Sequence, residues 1–136
     1  MSTPYPLEVI TPERVLVTEN VQMTIAPASE GDVGILAGHA SFLSALRPGE
    51  VRIIGADPRS TIRIVVRGGF ISVGREKTTI LADAAERVDE IDLSRAEIDL
   101  AEARRLLQEL SPGSNEAIQA EIEAAHAEAR IRAARN

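Results

Sequence analysis

The feature that most constrains this chain is a change of period between Ala82 and Ala96. Before that stretch apolar residues alternate with polar ones, and glycines and prolines punctuate every few positions. After it apolar residues recur at threes and fours, and glycine almost vanishes. Side chains change face at every residue of a strand and return every three to four residues of a helix. The change therefore predicts an α+β chain: an all-β sandwich or barrel over 1–86, then a two-helix hairpin over 87–136. The joint itself carries Glu86, Arg87, Asp89, Glu90, Asp92 and Arg95, too dense a charge cluster for a plain linker.

In the first part, Leu7, Val9 and Ile10 precede the turn Thr11-Pro12-Glu13-Arg14, and Val15-Leu16-Val17 resumes, which predicts a strand pair. Val21 to Ile25 alternates with Val21, Met23 and Ile25 on one face, and Pro27 is expected to stop it. Gly31, Gly34 and Gly38 fall at uneven spacing, which predicts close backbone approach rather than a regular element. Turns at Arg47-Pro48-Gly49-Glu50 and Gly55 to Arg59 bracket a strand from Val51 to Ile54. Strands Thr61 to Val66 and Phe70 to Val73 flank Gly68-Gly69, and Gly74 to Lys77 closes a hairpin with Thr78 to Ala82. Many short strands at even spacing read as a sandwich or small barrel.

In the second part, Leu93, Ala96, Leu100, Ala103, Leu107 and Leu110 form an a/d seam, with Asp92 placed to cap the helix and Ser111-Pro112-Gly113 to end it. A second helix runs from near Asn115 to near Arg135, with Ile118, Ile122, Ala125 and Ala129 on one face. So short a loop makes the helices antiparallel. Arg95 is then level with Arg130 or Ile131, and Glu86, Asp92, Arg95 and Arg130 are expected to converge beside the joint. The alanine-rich second seam buries little area at roughly 25 cal/mol per Å², so the hairpin is the part expected to come loose.

Composition excludes several functions. Aromatic residues make up 2% of the chain and there is no Trp, which leaves no stacking platform for bases. A net charge of −6 repels a phosphate backbone, so nucleic acid is not an expected partner. There is no cysteine, hence no disulfide and no thiolate nucleophile. Residues 1–6 lack the basic and apolar regions of a secretory signal, and no apolar run reaches spanning length, so membrane association is expected only through a partner. The two histidines, His39 and His126, lie in different halves without metal-ligand spacing, Lys77 is the sole lysine, and no nucleophile elbow or phosphate loop occurs. No catalytic constellation and no metal site are expected.

Four segments, Glu30 to Ala40, Arg47-Pro48-Gly49, Gly68 to Val73 and Ile80 to Arg87, stand in an order that resembles the epsilon subunit of rotary ATP synthases through nearly the whole chain. Where that family usually has proline after the Gly-His-Ala run, this chain has Ser41. The resemblance implies a β-sandwich and helical hairpin in a non-catalytic subunit of the central rotor stalk of a proton-translocating ATP synthase. It implies as partners the gamma subunit, the c-subunit ring and the alpha and beta catalytic subunits, with the membrane reached only through the complex, on the cytoplasmic face of a bacterial cell membrane.

Residue by residue, the resemblance places the gamma and c-ring interface at Gly31, Gly38, His39, Ala40, Ser41 and Phe42. It places an inhibitory contact with the catalytic subunits at Arg104, Arg105, Arg130, Arg132 and Arg135, which would brake ATP hydrolysis when the hairpin extends. Members that bind ATP on this subunit share the pattern seen here at Ile91-Asp92-Leu93-Ser94-Arg95-Ala96, so Glu86, Ile91, Asp92, Arg95, Ala96 and Arg130 are the expected contacts of ATP as a regulatory ligand, with no cofactor required. Two further arginines of those members are Glu102 and His126 here, which lowers the positive charge facing three phosphates. Without the resemblance, Asp92 is a helix cap, His39 a loop histidine, and the helix-terminal arginines complements of the macrodipole. The alternatives from other classes are a stand-alone ATP sensor and a β-sandwich adaptor.

Overall fold

The computed structural model describes residues 3–57 and 59–136. Seven strands come first: β1 (Tyr5–Ile10), β2 (Val15–Ala28), β3 (Gly31–Ile35), β4 (Phe42–Leu46), β5 (Gly49–Gly55), β6 (Thr61–Val73) and β7 (Thr78–Arg87). A 3-10 turn, Val88–Glu90, leads into α1 (Leu93–Glu109) and α2 (Asn115–Arg135). Pro58, in the expected turn after β5, and residues 1–2 lie outside the described residues.

The strands run in the order β1-β7-β6-β4-β2-β3, with β5 bridging β2 and β6. β1 lies parallel to β7 and antiparallel to β2, so the sheet folds back on itself into a sandwich. Its interior holds Leu7, Val9, Val21, Ile53, Ile64, Ile71 and Ile80, each at most 1% exposed. The buried Tyr5 hydroxyl is bonded to Thr24 Oγ1 at 2.7 Å and to the Ile35 carbonyl at 2.9 Å, so this polar group is satisfied inside the core.

Irregularities in the ladders correct the sequence reading. A register shift between Val21 and Met23 against β5 breaks simple alternation, so Val21, Thr24 and Ala26 are buried while Met23 and Ile25 turn to the other face. Pro27 does not stop β2. It pairs with Asp32, its carbonyl accepts from Arg47 N at 2.8 Å, and the strand ends one residue later. Proline removes only a donor, which is tolerated near a strand end. Gly31 and Gly34 lie in the regular strand β3, and Phe42–Leu46 forms β4, which the alternation did not announce.

Gly68-Gly69 does not divide two strands. It is a bulge inside the continuous β6, opposite Ala84 and Ala82 of β7. Gly69 has φ 131°, and a Cβ there would stand 2.0 Å from the Leu81 carbonyl oxygen, so only glycine fits. The extra residue moves Phe70 to the outer face and returns Ile71 to the core.

Asp92 caps α1 by accepting from Arg95 N at 3.1 Å, and Ser114 caps α2 by accepting from Ala117 N at 3.1 Å. Gly113, at φ 81°, supplies the left-handed residue of the connecting turn. The helices pack against each other through alanine: Ala96 and Ala103 on α1, and Ala117, Ala120, Ala124 and Ala127 on α2, are buried. Ile118 is 45% exposed, which corrects the expected seam, and Ile122 and Ala125 are half-buried. The reason is spatial. α2 is squeezed between α1 and the sandwich, where close helix approach selects the methyl group over the bulky side chain. Ala129 and Ala133 meet Val65 of β6, with Val88 and Ile91 alongside.

Candidate functional site

The joint is where the charged residues gather. β7 carries Glu86 to the edge of the sandwich, and α2 brings Arg130 over it, so that Arg130 Nε donates to Glu86 Oε1 at 2.5 Å. Arg130 Nη1 donates to Asp99 Oδ2 of α1 at 3.0 Å, and Arg95 Nε lies 3.2 Å from Asp99 Oδ1. One arginine, its side chain 12% exposed, thus ties the sandwich to both helices. Arg95 and Arg130 meet through a shared carboxylate rather than side by side. Asp92 does not join them, because its carboxylate is spent on the α1 cap. Ile91 is half-buried in the small cluster with Val65, and Ala96 is fully buried.

His126 lies in the same neighbourhood. Burial, the largest effect, pushes its pKa below the ordinary value, with Arg130 and Arg67 pushing the same way and Glu123 and Asp99 opposing. Beyond Asp99 the two helices enclose an open groove of about 710 Å³, floored by Ala103, Leu106 and Ala120 and walled by Asp99, Glu102, Glu116 and Glu123. Arg105 hydrogen-bonds Glu102 and holds its carboxyl below the usual range. Arg67 of β6 reaches across to Glu123 and Gln119, a second tie between sandwich and α2.

Four of the five arginines expected in the inhibitory contact are engaged in this closed hairpin. Arg104 lies 3.7 Å from Glu128, Arg105 pairs with Glu102 and Glu109, Arg130 pairs as above, and Arg135 Nη2 stands 3.1 Å from Glu97. Among the described residues Arg132 has no carboxylate within ion-pair distance.

Gly38, His39, Ala40 and Ser41 form one loop against the Gly74–Lys77 turn. His39 N donates to the Leu36 carbonyl at 3.1 Å, its Nδ1 is 2.7 Å from the Ala40 carbonyl, and its ring meets Phe42 edge-on at 6.0 Å. Gly31 lies at the other end of β3, sharing a hollow with Phe42 and Leu43.

The outer face of the sandwich holds residues that the sequence reading passed over. Pairing registers align Ala45, Phe70, Leu81, Ile10 and Val15 in one row across β4, β6, β7, β1 and β2. Phe70, Leu81 and Val15 are 54%, 51% and 55% exposed, and Leu43 beside the row is 73% exposed. Alternation contained the signal: with Ile71 and Ile80 assigned inward, Phe70 and Leu81 must point out. Among the described residues no cluster of metal-ligating side chains occurs, and no helix is long and apolar enough to cross a membrane.

Comparison with known proteins agrees with this architecture. Residues 5–88 match the family model described as the ATP synthase, Delta/Epsilon chain, beta-sandwich domain. The ATP synthase epsilon chain of Pelotomaculum thermopropionicum is 43% identical over 103 residues, 76% of this chain and 72% of that one. The epsilon chain of Herpetosiphon aurantiacus is 38% identical over 132 residues, 97% of this chain and 95% of that one. Among solved structures, a chain in the Euglena gracilis mitochondrial ATP synthase, OSCP/F1/c-ring in rotational state 1, superposes over 100% of this chain and 84% of its own with a TM-score of 0.82 and 27% identity. A chain of the Tetrahymena thermophila mitochondrial ATP synthase central stalk and c-ring shares the fold at 13% identity, covering 98% of both chains with a TM-score of 0.64. The sandwich, the hairpin and these relatives together make the chain a member of the ATP synthase epsilon chain family, a subunit that is not itself catalytic.

Proposed function

We propose that the chain works in the central rotor stalk of a proton-translocating ATP synthase, docked by its sandwich on the gamma subunit and the c-subunit ring. It thereby helps to transmit rotation, and it reaches the membrane, on the cytoplasmic face of a bacterial cell, only through that complex. The observation that carries this reading is the division of the sandwich surface. One outer region is covered by α2, whereas the row of Phe70, Leu81 and Val15 is apolar and open, as a surface built for a permanent partner is. Gamma is assigned to that row, and the loop from Gly38 to Phe42, with Gly31 beyond it, to the gamma and c-ring boundary.

The hairpin is proposed as a brake on hydrolysis. Its docking on the sandwich rests on two alanines and Val65, worth about 3–5 kcal/mol in transfer terms, plus partly exposed ion pairs of up to about 1 kcal/mol each. Undocking and separating the helices would free Arg104, Arg130 and Arg135 from Glu128, Glu86, Asp99 and Glu97 to meet acidic segments of the alpha and beta subunits. ATP as regulatory ligand would take the place of Asp99 on Arg95 and Arg130, with Glu86, Ile91, Asp92 and Ala96 around it.

The test is calorimetric titration of the chain into isolated gamma, together with ATPase assays on a rotary catalytic complex stripped of epsilon. The full chain should bind gamma and inhibit hydrolysis; Phe70→Asp should abolish both, and Arg132→Gln with Arg135→Gln should abolish only the inhibition. Undiminished binding by Phe70→Asp would remove the assigned docking face.

A further inference from the structure

The open groove within the hairpin begins at Asp99 and leads away from the joint. It runs along α1 as far as Leu110 and along α2 from Asn115 to Glu123, a length of about 16 Å or three helical turns. Its floor is apolar. Ala103 and Ala120 are buried there, whereas Leu106 and Leu110 stay half-buried although both helices are fully formed. Two helices cover each other on one side only, so covering these leucines takes a third element.

Both walls of the groove are acidic. Asp99 and Glu102 rise from α1 and Glu116 and Glu123 from α2, and among the described residues no arginine, lysine or histidine lines it. The cations nearby are shared out. Arg105 is divided between Glu102 at 2.7 Å and Glu109 at 3.1 Å, and Arg130 between Asp99 and Glu86. Arg67 takes Glu123, and among the described residues Glu116 meets no cationic side chain within ion-pair distance. The groove therefore keeps an excess of negative charge on both rims of an apolar floor.

We infer that this groove is a docking site for a basic amphipathic helix of a partner protein, about three turns long. An apolar stripe on that helix covers Leu106 and Leu110, the two buried alanines let it approach closely, and lysines or arginines on both sides of the stripe meet the opposing rims. A second copy of this chain is a poor occupant, because groove against groove sets carboxylate against carboxylate. The groove is formed within the hairpin, so the inference needs neither the proposed docking on gamma nor the proposed brake.

The experiment titrates three synthetic peptides, each stapled into a helix, into the full chain by calorimetry. One carries a leucine stripe flanked by lysines, one the same stripe flanked by glutamates, and one the lysines with serine in place of leucine. Only the first is expected to bind, one to one and more weakly as salt rises. Glu116→Lys and Leu106→Ser should each weaken it about tenfold or more, whereas Glu121→Lys, exposed and outside the groove, should leave it within about twofold. Equal binding of the serine peptide, or equal losses in Glu116→Lys and Glu121→Lys, would show attraction by bulk charge and overturn the site. So would no binding of the first peptide at millimolar concentration. Sedimentation of the chain alone reads the other occupant: a dimer that Glu116→Lys alters would give the groove to a second copy and overturn the partner helix.

Discussion

The sandwich and the hairpin are equally regular in backbone and very unequal in what holds them. Inside the sandwich Ile53, Ile64, Ile71 and Ile80 are fully buried, with valines and leucines around them. The buried residues of α1 and α2 are alanines throughout. A buried isoleucine contributes about 1.5–3 kcal/mol and an alanine methyl under about 1, so the second region relies on helix propensity, capping and ion pairs. The lesson is that regular secondary structure says little about how firmly a region is attached. The role proposed above, with one region held permanently by a partner and the other swinging free, would draw on this inequality.

The largest expected effect breaks the stronger side. Ile64→Ala should destabilise the sandwich by about 2–5 kcal/mol, read as a lowered denaturation midpoint with the slope unchanged. Next, Arg130→Ala should cost about 1–2 kcal/mol, because Glu86 and Asp99 keep partial access to water, and the loss should fall on hairpin docking alone. Energy transfer between sandwich and hairpin should drop while the sandwich's midpoint holds.

A smaller effect comes from His126. Its pKa is depressed in the closed form, so closure favours the neutral ring. That contribution is fully present above the ordinary value near 6.5 and is lost as pH falls from there through the depressed value. Acidification should therefore open the hairpin, and His126→Gln should flatten the pH profile. Smallest of all, Ile118→Ser should change stability by less than about 0.5 kcal/mol, since the side chain is 45% exposed and off the seam.

Much of this architecture was legible in the chain. The period change set the order of sandwich and hairpin, and Asp92 and the turn before Asn115 marked the helices. What was lost came from places where one residue shifts a phase. The irregularity near Val21 and the bulge at Gly68-Gly69 exchange inner and outer faces, and nothing local in composition announces which side the chain resumes on. The seam of α2 was misread at Ile118 because periodicity favours the bulky residue, whereas a helix packed on two sides buries its smallest ones. At the joint, Arg95 and Arg130 could be brought level by counting residues from the loop, and Glu86 by its place at the end of the sandwich, but Asp99 could not, since its role depends on a carboxylate shared between Arg95 and Arg130.

The most direct test of the central claim, that a weakly docked hairpin moves while the sandwich stays bound, is a locked chain. Arg67→Cys and Gln119→Cys, whose parent side chains meet across the seam at 3.3 Å, would be joined by a short thiol crosslinker and the product assayed on an epsilon-free rotary ATPase. The account predicts that the locked chain binds gamma as the unlocked one does and no longer inhibits hydrolysis, with inhibition restored when the crosslink is cleaved. Equal inhibition by locked and unlocked chains would show that the hairpin does not have to move.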